Sequence, residues 1–402
     1  MKRTLLACLL LVALLATVSG TVAYFTDSVQ TRGSIASGNL DIAQHEYERV
    51  KQSDGTYILQ PYTQKQVIYP AVGELTTHDC AVKVSADSDK TIALNDTMKN
   101  LVDKIVVAEN KGSLNAYVRT FVAVPAHYYL ENGEEVSVSW LHLDTNTNDG
   151  WKWAATPVKN VNIDGDHYDI YYATNTEVLA PGATTAPSLL GFYLDRNVSQ
   201  KNGEYIYKTG GGDYVSLGSE ASMTILVATE ATQANVFDAE GEKTAAQVAM
   251  EATYFEEPSN TRHPWANVQV ATTQEKLDTL LENASSNYNA YIGLKDQNYT
   301  LPEQLPNGVH LFAMSANVKA KTENGTIGGY DIELSGITFT DEVTLTGHGS
   351  FTDILFEKGF KAAPTTGDMV IDHCVFDQYT VTPGEYQVAV SNCRKTTGEI
   401  IE

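Results

Sequence analysis

"YDIELSGITFTD" (Tyr330–Asp341) returns 37 residues later as "GDMVIDHCVFDQ" (Gly367–Gln378). Apolar positions match in register: Ile332 with Met369, Leu334 with Ile371, Ile337 with Cys374, and Phe339 with Phe376. A finer spacing runs beneath this one. Ile337, Phe356, Cys374 and Cys393 stand 19, 18 and 19 residues apart, and "VIDHC" (370–374) is echoed by "AVSNC" (389–393). A near-constant period of about 20 residues marks a solenoid, whose coils each bury an apolar face only by stacking on a neighbour. The run "TTQEKLDTLLENA" (272–284) reads as a capping helix ahead of the first coil, with Thr272 or Thr273 as N-cap and Glu275 in the first turn. Four or five coils fit in residues 267–402.

Upstream the pattern is also β. Strands are expected at Tyr117–Ala126, His167–Thr174, Ser188–Asp195 and Ser222–Ala234, with turns at "ENG" (131–133), "TNDG" (147–150), "IDGD" (163–166) and "KTGGGD" (208–213). Helical pattern is confined to 94–105, 242–255 and the capping helix. Of paired tyrosines such as Tyr128–Tyr129 and Tyr171–Tyr172, one member is expected to face out. "EEPSNTRHPW" (256–265), with two prolines and little apolar content, reads as the boundary between two domains. The fold class is therefore mainly β: a jelly-roll-like sandwich over 24–255, a linker at 256–266, and a short parallel β-helix with a helical N-cap over 267–402.

The N-terminus reads as a secretory signal over 1–23: Lys2 and Arg3, the apolar run Leu5–Val18, then small residues, with cleavage after Ala23. The apolar run is shorter than the roughly 20 residues needed to span a bilayer, so no stable membrane span is expected after processing. Of 27 basic residues, Lys2 and Arg3 leave with the signal; the remaining 25 against 50 acidic ones give a formal charge of −25. Such a surface repels phosphate backbones, which argues against nucleic acid as a partner.

"TVAYFTDSVQTRGSIASGNLDIAQHE" (21–46) resembles the signal-peptide junction of the TasA/camelysin family of secreted bacterial matrix-fibre proteins, where small residues meet an aromatic-x-Asp start followed by Gly-x-Leu-Asp. "NKGSLNAYVRTFVAV" (110–124), "VLAPGATTAPSLLGFYL" (178–194) and "ILVATEATQANVF" (225–237) are similar to later family segments, so the resemblance covers residues 1–255. It implies a jelly-roll-like sandwich, a dedicated signal peptidase and assembly into extracellular filaments. The C-terminal part resembles the start of right-handed parallel β-helices of the pectin-lyase-like type. A freed terminus carrying Tyr24, Phe25, Thr26 and Asp27 can add as a strand to an exposed sheet edge; the same residues also suit the first strand of their own domain.

The expected role is a structural protein, secreted to the extracellular matrix or cell surface. Its partners would be further copies of itself, head to tail, or another matrix protein; a glycan is the alternative. No cofactor is expected. Catalysis finds little support. Camelysin-like proteins have been classed as metallopeptidases, but His45 and Glu46 in "AQHEYERV" lack a second histidine four residues on, and His45 reads as a surface residue. Asp331, Glu333, Asp341, Glu342, Asp353, Asp372 and Asp377, with Lys319, Lys321 and Lys358, supply the residue types of a polysaccharide-cleaving site without evidence that they converge. No catalytic residue is assigned. Three cysteines follow the signal. Cys374 and Cys393 take inward solenoid positions one coil apart, where they stack unpaired or form a disulfide; Cys80 stays single. Without tight Cys-x-x-Cys pairs, no metal site is assigned.

Overall fold

The computed structural model describes residues 40–62, 68–76, 80–83, 91–163, 165–219, 225–234, 237–284, 290–295, 297–314 and 318–401. The expected signal over residues 1–23, with its cleavage point at Ala23, and the segment Tyr24–Asp27 lie outside them.

Two antiparallel five-stranded sheets form the sandwich. One runs in the order Tyr57–Pro61, Ile42–Lys51, Val102–Asn110, Leu189–Leu194, Leu141–Thr145. The other runs Trp151–Trp153, Asp166–Asn175, Ala116–Pro125, Leu226–Gln233, with Val158–Ile163 also paired to Asp166–Asn175. Alternation decides which side chains meet inside. Val122 and Val124 point inward against Val106, Leu189 and Phe192, while Phe121 and Ala123 point out. Three expected turns close hairpins or tight bends with positive φ at Asn132–Gly133, Asp149–Gly150 and Gly212.

Expected helix 94–105 does not form. The Asn95 side chain accepts the backbone N–H groups of Thr97 and Met98, a local bond that competes with a helix, and the chain leaves this turn through Asn100 at φ 66° into the Val102–Asn110 strand. Two helices do form. Helix α1 (Ala245–Thr253) opens with a capping box between Thr244 and Gln247 and lays Ala246, Ala249 and Met250 on Tyr117 and Ala234 of the sandwich. Helix α2 (Gln274–Ala284) begins at Thr273, whose hydroxyl accepts the Lys276 N–H. Its Leu277, Leu280, Leu281 and Ala284 close the first turn of the solenoid, as the i, i+3, i+4, i+7 spacing requires.

The C-terminal part is a parallel β-solenoid of about six turns, more than the sequence period suggested. Its three parallel sheets have seven, five and four strands. The longest runs from Gln269–Ala271 through Ile332–Ser335, Gly349–Thr352 and Met369–Asp372 to Val388–Ser391. The repeated motifs are two turns apart, with Gly349–Thr352 between them. Phe356 does not follow Ile337: it stacks under Phe339 and over Phe376, and Ile354 takes the Ile337–Cys374 position. Phe339 and Phe356 stack at 5.6 Å, and Phe360 meets Phe356 at 4.7 Å and Phe376 edge-on at 4.8 Å. Each such pair adds about 0.5–1.5 kcal/mol beyond simple burial. The last residues fold back, with Ile401 N–H donating to the Cys393 carbonyl.

Sandwich and solenoid share a core. Phe121, Ala123, Val161, Ile170 and Ala228 pack with Trp265, Val270, Phe312 and Met314. Burying side chains of this size is worth about 1.5–3 kcal/mol each. The 256–265 segment lies on the sandwich rather than away from it: Asn260 Oδ1 accepts the Asn162 N–H, and Trp265 is 2% exposed. Neither member of the Tyr171–Tyr172 pair stands free in water: Tyr171 packs against the sandwich core, and Tyr172 is half-buried against Phe121 in the seam.

Candidate functional site

Sandwich and solenoid also meet through a polar contact that gathers several buried titratable side chains. On the Ile42–Lys51 strand, Ile42 points into the sandwich and His45 and Tyr47 lie on the opposite face by alternation. His45 stands opposite Val107, which puts it diagonal to Glu109 on the same face of the next strand. Its Nε2 lies 2.8 Å from Glu109 Oε2. The solenoid delivers the other half. In four successive turns one corner residue adopts a left-handed conformation: Gly336 (φ 67°), Asp353 (54°), His373 (52°) and Asn392 (53°). Residues with short polar side chains tolerate this region better than most, which is why Gly, Asp, His and Asn fill the column.

This corner turns His373 onto His45. The rings stack with centroids 3.9 Å apart and planes 22° from parallel, and both residues are 2% exposed. Tyr47 Oη is 2.7 Å from His373 Nε2. Asp372, 1% exposed, is gripped from several directions. Ser391 Oγ and Asn392 Nδ2 donate to Oδ1 at 2.7 and 3.0 Å, and Lys111 Nζ donates to Oδ2 at 2.8 Å. His373 Nδ1 also lies 3.0 Å from Oδ2, but off the line of a hydrogen bond. Close by, Arg394 donates to the Leu59 carbonyl, again linking solenoid to sandwich.

Burial and charge set the protonation states. Burial, with His373 alongside, lowers His45 to about 4, so it is neutral near pH 7. Glu109 is held below the usual carboxylate range by its bond to His45. Asp372 is strongly lowered: burial opposes its charge, but His373 and Lys111 outweigh it. Burial raises Tyr47, with Asp353 and Asp372 adding to the effect, so the phenol keeps its proton. Partly exposed Asp353 is raised to about 7, first by desolvation and then by the neighbouring acids.

His45 is thus a buried interface residue, not the surface residue its polar sequence context suggested. One donor atom each from His45, Asp372 and His373 lie within 4.8 Å of one another. Cys374 and Cys393 are buried free thiols one turn apart; Cys374 N–H lies 3.4 Å from Cys393 Sγ. Desolvation, with Cys393 beside it, pushes the Cys374 thiol up, as expected of a packing residue. Cys80 is a buried free thiol in the hairpin beside the first sheet. Other solenoid acids pair separately: Asp341 and Glu342 with Lys358 and Lys361 one turn on, and Asp377 with Thr396, all near the surface, while Glu333 Oε2 lies 2.7 Å from His310 Nδ1.

Compared with known protein families, curated proteins and solved structures, the chain has no match. Among the described residues, no helix is long and apolar enough to cross a membrane. The His45–His373 pair was out of reach of sequence reasoning because 328 positions separate its members. The one local sign was a histidine at a corner where other turns carry Gly, Asp or Asn.

Proposed function

We propose that this chain is a secreted structural protein of the extracellular matrix or cell surface, assembled through its freed N-terminal segment and displaying the solenoid. One observation carries the reading. The leading half of the first strand, Ile42–His45, pairs with Ala108–Asn110 and its neighbour on one side, and among the described residues no strand pairs with its other edge. In sequence, residues 24–39 precede that strand. A segment carrying large apolar side chains such as Tyr24 and Phe25 that adds from one copy to the unpaired edge of the next makes a head-to-tail contact, which grows into a filament unless it closes on itself. The resemblance of residues 21–46 to the TasA/camelysin junction supports the same reading.

A peptide of residues 24–36 tests it when added to the chain beginning at Ser37. Saturable binding, read by fluorescence anisotropy and competed by unlabelled peptide, is expected. An unchanged signal at high micromolar chain would remove strand donation from the account. A glycan-binding alternative is favoured by Tyr330, 47% exposed on the solenoid surface, whose ring lies 4.9 Å from that of His348 with the planes tilted by 43°. Aromatic faces of this kind suit sugar rings.

A further inference from the structure

The polar contact between sandwich and solenoid contains two buried ring nitrogens with no hydrogen-bond partner, His45 Nδ1 and His373 Nδ1. Glu109 accepts from His45 Nε2–H, which fixes the neutral tautomer and leaves a bare lone pair on Nδ1. A lone pair shut away from water without a donor is costly, and it is the electronic form in which imidazole binds a metal ion. We propose that His45, Asp372 and His373 form a binding site for a divalent late first-row transition ion of the zinc type, closed across the seam between sandwich and solenoid.

The surroundings match what such a site needs. A metal-bound histidine characteristically gives its other N–H to a carboxylate or another oxygen. Glu109 fills that place for His45, and the Tyr47 hydroxyl fills it for His373. Ser391 and Asn392 occupy Oδ1 of Asp372 and aim Oδ2 at the histidines. The Lys111 ammonium already sits on Oδ2, showing that a positive charge is stable there; its side chain is 31% exposed and has room to withdraw. Two nitrogens and one carboxylate favour zinc or copper over calcium and magnesium, which prefer all-oxygen shells.

Stacked rings with planes only 22° apart cannot both direct in-plane lone pairs at one point. Binding therefore turns one ring out of the stack, and the ion bridges the two halves in place of the ring contact. Because one ligand comes from the sandwich and two from the solenoid, the site exists only when both are docked. This inference does not rest on the assembly reading.

The test uses the full chain, stripped with a chelator, and Zn²⁺ alone, followed by calorimetric titration and by thermal unfolding with and without the ion. One site per chain and a raised unfolding midpoint are expected. His373→Asn keeps a residue suited to the left-handed corner, as Asn392 does in the next turn, and His45→Gln keeps a polar side chain on the strand. Each is expected to weaken zinc by at least about tenfold, with circular dichroism showing the fold retained. Lys111→Ala is expected to tighten zinc several-fold by removing the competing cation. The proposal is overturned if the parent chain shows no saturable site. It is equally overturned if the site survives both histidine changes, which would place it at another pair such as His310–Glu333.

Discussion

Asp353 holds its carboxyl in a left-handed solenoid corner, one turn from His373, where desolvation and nearby acids raise it to about 7. The unfolded chain would release that proton near pH 3.8. Between these values the folded chain binds more protons, so this group lowers stability as pH rises through the window. The full linkage of about 4 kcal/mol is reduced by the residue's remaining contact with water, leaving about 1–2 kcal/mol. Asn carries no such charge and suits the same backbone, as Asn392 shows. Asp353→Asn is therefore expected to raise the thermal midpoint over the parent chain at pH 8 and to match it at pH 4. Equal shifts at both pH values would mean that charge is not the cause. The corner column was only half legible in the sequence. "DHC" and "SNC" were visible as echoes, but positive φ at His373 is a backbone property, and its partner Tyr47 lies in the other half of the chain.

At the scale of elements, the solenoid depends on where a Cβ fits between stacked backbones. Gly349 sits at φ 147°, and a Cβ there would lie 1.9 Å from the Ile332 carbonyl oxygen one turn away. Gly336 sits at φ 67° with its nearest neighbour, Ala313 Cβ, at 3.4 Å. Gly349→Ala is thus expected to destabilise the chain by about 3 kcal/mol or more, through both clash and strain. Gly336→Asn, which copies the later turns, should stay within about 0.5 kcal/mol of the parent. Urea unfolding of the two variants measures the contrast, and similar losses would contradict the assigned register. The sequence carried the repeat because apolar residues must recur wherever coils stack. It misplaced Phe356 because the turns are unequal, and a fixed spacing slides past a shortened one. The 94–105 segment shows the opposite failure: apolar spacing suggested a helix, while the Asn95 side chain supplied the turn's hydrogen bonds instead.

For the whole molecule, the main finding is a shared seam. The sequence divides the chain at 256–266 by composition, yet Trp265 is buried with Phe312 and Met314 against Phe121, and His45 stacks on His373. Contacts between residues hundreds of positions apart leave no periodicity, so neither the apolar seam nor the histidine pair could be read from spacing. Two mainly β halves, in contrast, were legible from strand patterns, turns and the coil repeat. What joins them bears on the proposed role, since a docked solenoid would be carried in a fixed pose along any filament built from the sandwich. The central claim is that residues 24–36 drive that assembly. It is tested most directly by negative-stain microscopy and size-exclusion chromatography of chains beginning at Tyr24 and at Ser37, at matched concentration and salt. Filaments are expected from the longer chain and monomers from the shorter. Filaments from both, or monomers from both, would contradict it.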